Sequence, residues 1–231
     1  MKKIDPELVD PAIQPFGEIV GRVLRGVVGA IPYVGSAVTE IFNSMFEGPL
    51  AKRRTEWMRD VTEVLNDLME KGVVTEADLQ ENEVFISTVV QAYYLALRNH
   101  ESEKLEALRN AVRNSALPTC PADDYRQLFL NFVDQCTVTQ IRFLRFADDP
   151  MAWFERTGTR FPGYKSGDIT GVIDAAMPEL KDHAKLRDAI WDDLINRGLI
   201  ERHLDIDSKG PEDTFDRKTT AMGADLVRFI G

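Results

Sequence analysis

Three histidines, two cysteines and three Asp–Asp pairs are the residues of this chain whose types could carry chemistry. A metal site needs ligands that converge. His100, His183 and His203 are far apart, none stands four residues from another, and no cysteine pair accompanies them, so a zinc site would have to be assembled over long range. Solvated or locally bonded histidines are the simpler reading. The phosphate, nucleophile-elbow and zincin patterns GxxxxGK[ST], GxGxxG, GxSxG and HExxH do not occur. Gly17, Gly21, Gly26 and Gly29 have no preceding strand and no following Lys-Ser or Lys-Thr, which suits close helix packing better than a phosphate cradle. Asp123-Asp124, Asp148-Asp149 and Asp192-Asp193 are neighbours in sequence, and neighbours on a helix point about 100° apart, so they do not share a pocket. The first two pairs fit helix starts, where acids suit the macrodipole, and the third fits a solvated face. The expectation is a protein that is not an enzyme, with no catalytic residue, no cofactor and no metal ligand.

Charge and composition narrow the classes further. The 38 acidic residues outnumber the 28 Lys and Arg, for a net charge of -10 over 231 residues. Binding to nucleic acid draws on phosphate neutralisation, so this balance weighs against a general DNA or RNA binder. A hydrophobic content of 44% supports an ordered core in one large or two small domains. Cys120 and Cys136 fall at the two ends of one predicted helix, about 20 Å apart, beyond disulfide reach, so both are read as thiols in a reducing compartment. Acids and prolines interrupt the opening Met1-Lys2-Lys3-Ile4-Asp5-Pro6, which lacks the apolar run of a secretory signal. With no long charge-free apolar run, a cytoplasmic location is expected.

These residues must be positioned by helices. Residues 1–15, with Pro6, Pro11 and Pro15, read as an extended lead-in. A first domain, 16–118, reads as a helical bundle that opens with an apolar hairpin over 16–50. Pro32 and its flanking glycines divide this hairpin into arms at roughly 16–29 and 34–47. The row Trp57, Val61, Val64 and Leu68, with Met58, Leu65 and Met69 beside it, marks a helix over 50–71 stopped by Gly72. Thr75-x-x-Asp78 resembles a capping box opening a helix to about Arg98, and another helix runs from Ser102 to before Pro118.

The second domain, 122–231, begins with a stripe of Tyr125, Leu128, Phe129, Phe132 and Val133. Thr137-x-x-Gln140 caps the next helix, and Asp149-Pro150 reads as an N-cap with proline at N1. Further helices are predicted at 168–177 and 182–197, the latter ended by Gly198. Strands at Leu199 to Leu204 and Phe215 to Lys218 follow, then a last helix from Thr219 or Thr220 to Ile230. The fold class expected is all-α: a bundle, then a winged-helix-like module with a short two-stranded wing.

Several phrases carry a resemblance. IPYVGSAVTEIF (31–42), EKLEALRNAV (103–112), LFLNFVDQCTVTQIRFLRF (128–146), DPMAWFE (149–155), DLINRGLIE (193–201) and TTAMGADLVRFI (219–230) resemble a widespread family of uncharacterised bacterial helical proteins. The likeness covers about residues 30 to 230 and brings no catalytic motif. The EKL…LRNAV phrase before an apolar helix is also similar to Abi-alpha (abortive-infection) proteins, which implies a role in phage defence by association. The NRGLIE…TTAMG pattern resembles the end of MarR-type winged helices, where the recognition helix runs into the wing.

Two features remain to be weighed. On the winged-helix reading, 182–197 and the wing are net acidic, against what holds such domains on DNA. The hairpin residues Val27, Ile31, Pro32, Val38, Ile41 and Phe42 suit a buried bundle centre, and equally a membrane-active element released on activation. Each arm, near 20 Å, falls short of the roughly 30 Å hydrocarbon core. Lys52, Arg53 and Arg54 at the hairpin's exit are candidates for headgroup contact or for a solvated helix start. The expected function is that of a non-enzymatic bacterial interaction protein with a protein partner or a second copy of itself, an accessory of a phage-defence or stress system. A membrane-disrupting effector using residues 16–50 and a DNA-binding regulator are the alternatives.

Overall fold

A computed structural model describes residues 36–160, 169–202 and 217–231, with side-chain detail from Gly48 onward. Among these residues the secondary structure is helical apart from one isolated antiparallel bridge, Ile200 to Thr219. The chain divides into two units, Met1–Cys120 and Pro121–Gly231.

The first unit holds α1 (Ser36–Glu70), α2 (Glu76–Glu81), α3 (Glu83–Arg98) and α4 (Ser102–Ser115), with α1 packed on both α3 and α4, and α3 on α4. Trp57, Val61, Leu68 and Met69 of α1 are buried, as their three- and four-residue spacing requires. The facing positions are small: Ala92 and Ala96 on α3, Ala107 and Ala111 on α4, all buried, so the helix backbones approach closely. Phe85, Leu95, Leu108 and Val112 fill the remaining space.

Two boundaries differ from the sequence reading. The arm at 34–47 and the helix at 50–71 are one helix of 35 residues with Pro49 inside it. Proline lacks the N–H for the carbonyl four residues back, a loss of about 3 kcal/mol, yet the turns on either side keep their own bonds and carry the helix through. The helix predicted from Thr75 to Arg98 is two. Asn82 ends α2 and caps α3, its side chain accepting from Phe85 N at 2.9 Å. A short polar side chain that bonds the backbone locally competes with a continuous helix at that point. The expected box at Thr75 is present: Thr75 Oγ1 accepts from Asp78 N, and Asp78 accepts from Thr75 N at 2.8 Å. The bonds from Thr75 hold the Asp78 carboxyl below its usual range.

The second unit holds α5 (Asp123–Gln135), α6 (Val138–Asp148), α7 (Pro150–Thr157), α8 (Ile169–Ala176), a 3-10 turn (Pro178–Leu180), α9 (Ala184–Asn196) and α10 (Ala221–Ile230). α6 packs against α7, α9 and α10. Its Phe143 and Phe146 meet aromatic edges on the neighbours: Phe143 with Trp191 at 5.3 Å, Phe146 with Trp153 at 6.3 Å and Phe154 at 6.2 Å between ring centroids. Such edge-to-face pairs add to simple area burial. Asp149 caps α7 with Pro150 at N1, and Gly198 stops α9 in the left-handed conformation at φ 71°.

The expected pair of strands is reduced, among the described residues, to the Ile200–Thr219 bridge, and residues 203–216 lie outside the described residues. Gly198 closes α9 immediately before this stretch, and Thr220 caps α10 immediately after it, with its Oγ1 accepting from Gly223 N. What remains is tightly tied. Lys218 N donates to Ala147 O at 2.8 Å, Glu201 N to Lys218 O at 2.9 Å, and Thr220 N to Leu199 O at 3.1 Å. Asp148 accepts from Thr219 Oγ1 at 2.6 Å and pairs with Arg217 at 3.1 Å.

The start of α6 offers a direct check on local capping. Thr137 and Gln140 form both halves of a box, and Gln140 Nε2 also donates to Asp193 of α9 at 2.6 Å. Thr137→Ala should lower stability by about 1 kcal/mol, read as a fall in the denaturation midpoint at unchanged m-value.

Candidate functional site

α9 is the helix predicted at 182–197, which the sequence reading takes for a recognition helix. Its arginine Arg187 and the capping Arg197 are engaged within their own unit. Arg187, with a side chain only 13% exposed, pairs with Asp174 of α8 at 2.9 Å and touches Asp188 at 3.4 Å. Arg197 bonds Asp193 at 2.7 Å and Gln135 at 3.0 Å, and its guanidinium lies 5.8 Å from the Phe132 ring centroid. The Asp193 hydrogen bond raises the Arg197 pKa above its already high value. Lys185 and Arg202 stay exposed, beside the exposed acids Asp188, Asp192 and Glu201 and the exposed Leu186. The outward surface is therefore acidic with an apolar spot.

In the first unit the structure places the three cations of the Lys52–Arg54 cluster differently. Lys52 is exposed and stands 3.8 Å from Glu56. Arg53 turns inward, and its Nη1 donates to Leu97 O at 3.2 Å, a carbonyl of the last turn of α3 where a cation suits the helix end. Arg54 is half-buried and acts on Tyr93, whose phenol is pushed up by burial against the pull of that charge. Val27, Ile31 and Pro32 lie outside the described residues, while Val38, Ile41 and Phe42 fall in α1 with side chains outside them. No helix among the described residues is long and apolar enough to cross a membrane.

Beside Arg53, a cleft of about 170 Å³ runs along α1. Arg53, Glu56, Arg59 and Asp60 supply its charges, while Trp57, Ala96 of α3 and Leu105 of α4 supply its apolar surface. Burial pushes the Asp60 carboxyl above its usual range, although Arg109 and Arg59 pull it down. Trp57 is 3% exposed, and its indole Nε1 finds no acceptor among the described residues. Sequence reasoning treats Trp57 as core and misses this cleft. The signal available was Arg53, Trp57 and Asp60 at i, i+4 and i+7, a mixed face on an otherwise apolar row.

The other candidates stay apart. His100 is exposed and His183 precedes α9, while His203 lies outside the described residues. Asp123 and Asp124 sit in the first turn of α5, with Asp123 paired to the buried Arg126 at 2.9 Å. Asp148 ends α6 and Asp149 caps α7, so this pair serves the junction described above. Among the described residues no three His, Cys, Asp or Glu side chains come together to hold a metal ion. No protein-family model matches the chain, and no curated protein or solved structure matches it either.

Proposed function

We propose that this chain is a non-enzymatic bacterial interaction protein, an accessory of a phage-defence or stress system, whose second unit uses a winged-helix-like frame to hold a protein partner and not duplex DNA. One observation carries the reading: the arginines of the α9 region are held by Asp174 and Asp193 of their own unit, leaving Leu186, Asp188 and Asp192 outward with Lys185 as the one exposed cation of α9. Phosphates are bound by cations that shed their counterions, and a pre-paired guanidinium beside outward acids forfeits that gain. Lys218 N donates to Ala147 O near the end of α6 and Lys218 O accepts from Glu201 N, which ties α6 to the segment that follows α9. The phage-defence setting comes from the Abi-alpha resemblance, by association.

A low-salt anisotropy titration with duplex DNA should show no micromolar, steeply salt-dependent binding, and Lys185→Glu, at the exposed cation of α9, should change nothing. Binding that falls steeply with salt and disappears in Lys185→Glu would overturn the reading. In the native host, a partner cross-linked by the wild type should be lost with Leu186→Asp/Asp192→Lys, while circular dichroism stays unchanged. Capture that persists removes α9 as the surface. Leakage of anionic liposomes would favour the membrane-disrupting effector acting through residues 16–50.

A further inference from the structure

We infer that the outward face of α3 is a self-association surface, on which α3 of a second copy of this chain lies antiparallel about a two-fold axis at Val90. It concerns the first unit and stands whatever the second unit holds. The face that α3 turns inward carries Phe85, Thr88, Ala92, Leu95 and Ala96, all buried, and the helix packs on α1 and α4. Its opposite face is apolar too. Ile86, Val90 and Tyr94 follow one another at four-residue steps and stay exposed, bordered by the half-buried Tyr93 and Leu97. A helix that is apolar all round belongs in an interior, and this one keeps an apolar row in water.

The arrangement of the row selects the occupant. Val90 is the most exposed of the three, at 45%, and Ile86 and Tyr94 lie about 6 Å along the axis on either side of it. Charges close the two ends. Exposed Glu83 stands in the first turn, about 10.5 Å before Val90, and exposed Arg98 in the last, about 12 Å after it. At about 100° per residue both fall on the same flank of the row, about 20° and about 80° from Val90. An antiparallel two-fold pair sets equal flanks together and exchanges the ends, so Glu83 of each copy meets Arg98 of the other. A parallel pair would instead set the two Glu83 side chains level. The antiparallel register also seats Ile86 against Tyr93 and Tyr94 of the second copy, whose rings already stand edge to face at 5.8 Å. The face is its own complement. One pair of helices buries less than the roughly 800 Å² per partner of a standard interface, so the dimer is a weak one.

Sedimentation equilibrium of the full chain should show monomer and dimer in exchange, with a Kd on the order of 100 µM. Val90→Asp, on an exposed side chain, should keep the melting point near that of wild type and leave only monomer. Glu83→Arg and Arg98→Glu should each weaken the dimer about tenfold, because each turns two attractions into repulsions. The double variant Glu83→Arg/Arg98→Glu should return to within about threefold of wild type. A wild-type chain that stays monomeric at about ten times the expected Kd overturns the proposal and leaves the row to the apolar stretch 16–31 or to another protein. Association that survives Val90→Asp overturns it as well, since the contact then lies elsewhere. So does a double variant no tighter than the single ones.

Discussion

Replacing Phe143 with Ala is expected to lower the stability of the second unit by about 3–5 kcal/mol. Phe143 is fully buried on α6, its ring meeting Phe146 at 6.2 Å and Trp191 at 5.3 Å between centroids. Truncation removes both edge-to-face contacts and leaves a void where α6 and α9 pack, two losses that add. The unfolding midpoint should fall by roughly 10–20 °C, with the near-ultraviolet dichroism of Trp191 weakened even below the transition. Leu186→Ala, on an exposed side chain, should change stability by less than about 0.5 kcal/mol. A midpoint for Phe143→Ala within a few degrees of wild type would mean that α9 does not pack on α6 as described.

Gly223→Ala should destabilise by about 3 kcal/mol, against the direction that helix propensity gives. Position 223 lies in the first turn of α10, where Ala ordinarily stabilises by up to about 1 kcal/mol. Here a Cβ would enter the shell of the Leu199 carbonyl oxygen, 2.9 Å from its carbon and 3.1 Å from Thr219 Cβ. That carbonyl cannot retreat, because it accepts from Thr220 N at 3.1 Å. Relief would have to lift α10 off the bridge and weaken the Thr220 cap. Gly48→Ala in α1, where nothing lies within 4 Å of the added Cβ, is the matched control and should stabilise. Chemical denaturation of the two variants decides the matter by sign: if Gly223→Ala also stabilises, the close approach of α10 to Leu199 is wrong.

What the sequence made legible was local. The boxes at Thr75 and Thr137, the Asp149-Pro150 start, and the stops at Gly72 and Gly198 all depend on side chains and backbone within four residues, and they stand where expected. The Trp57–Met69 row was readable because burial repeats with the helical period. The arm at 34–47 and the helix at 50–71 read as separate although α1 runs through Pro49, because the cost of an interior proline is local whereas the support for α1 beyond it comes from α3 and α4. The wing misled because the apolar residues at 199–204 give strand character without showing that, among the described residues, pairing is limited to the single Ile200–Thr219 bridge. The cleft was hidden for a third reason. The Trp57 indole and the cleft beside it are bounded by Ala96 and Leu105 of other helices, and no spacing along α1 reports that. Nor does the sequence show that Arg187 and Asp174 meet, on which the α9 reading turns.

Pro49 also gives α1 an uneven stiffness. Bending a helix ordinarily stretches its i→i−4 bonds, and resistance is roughly uniform along its length. At the turn spanning 45 to 49 one of those bonds is absent from the start, and the proline ring crowds the carbonyl it faces. The rod is softest there. Its C-terminal portion is clamped to α3 and α4, so a lateral load on the stretch before Pro49 deflects that turn first and reaches the bundle much reduced. α1 therefore behaves mechanically as two beams joined by a compliant coupling, with the stiffer beam carrying Arg53, Trp57 and Asp60.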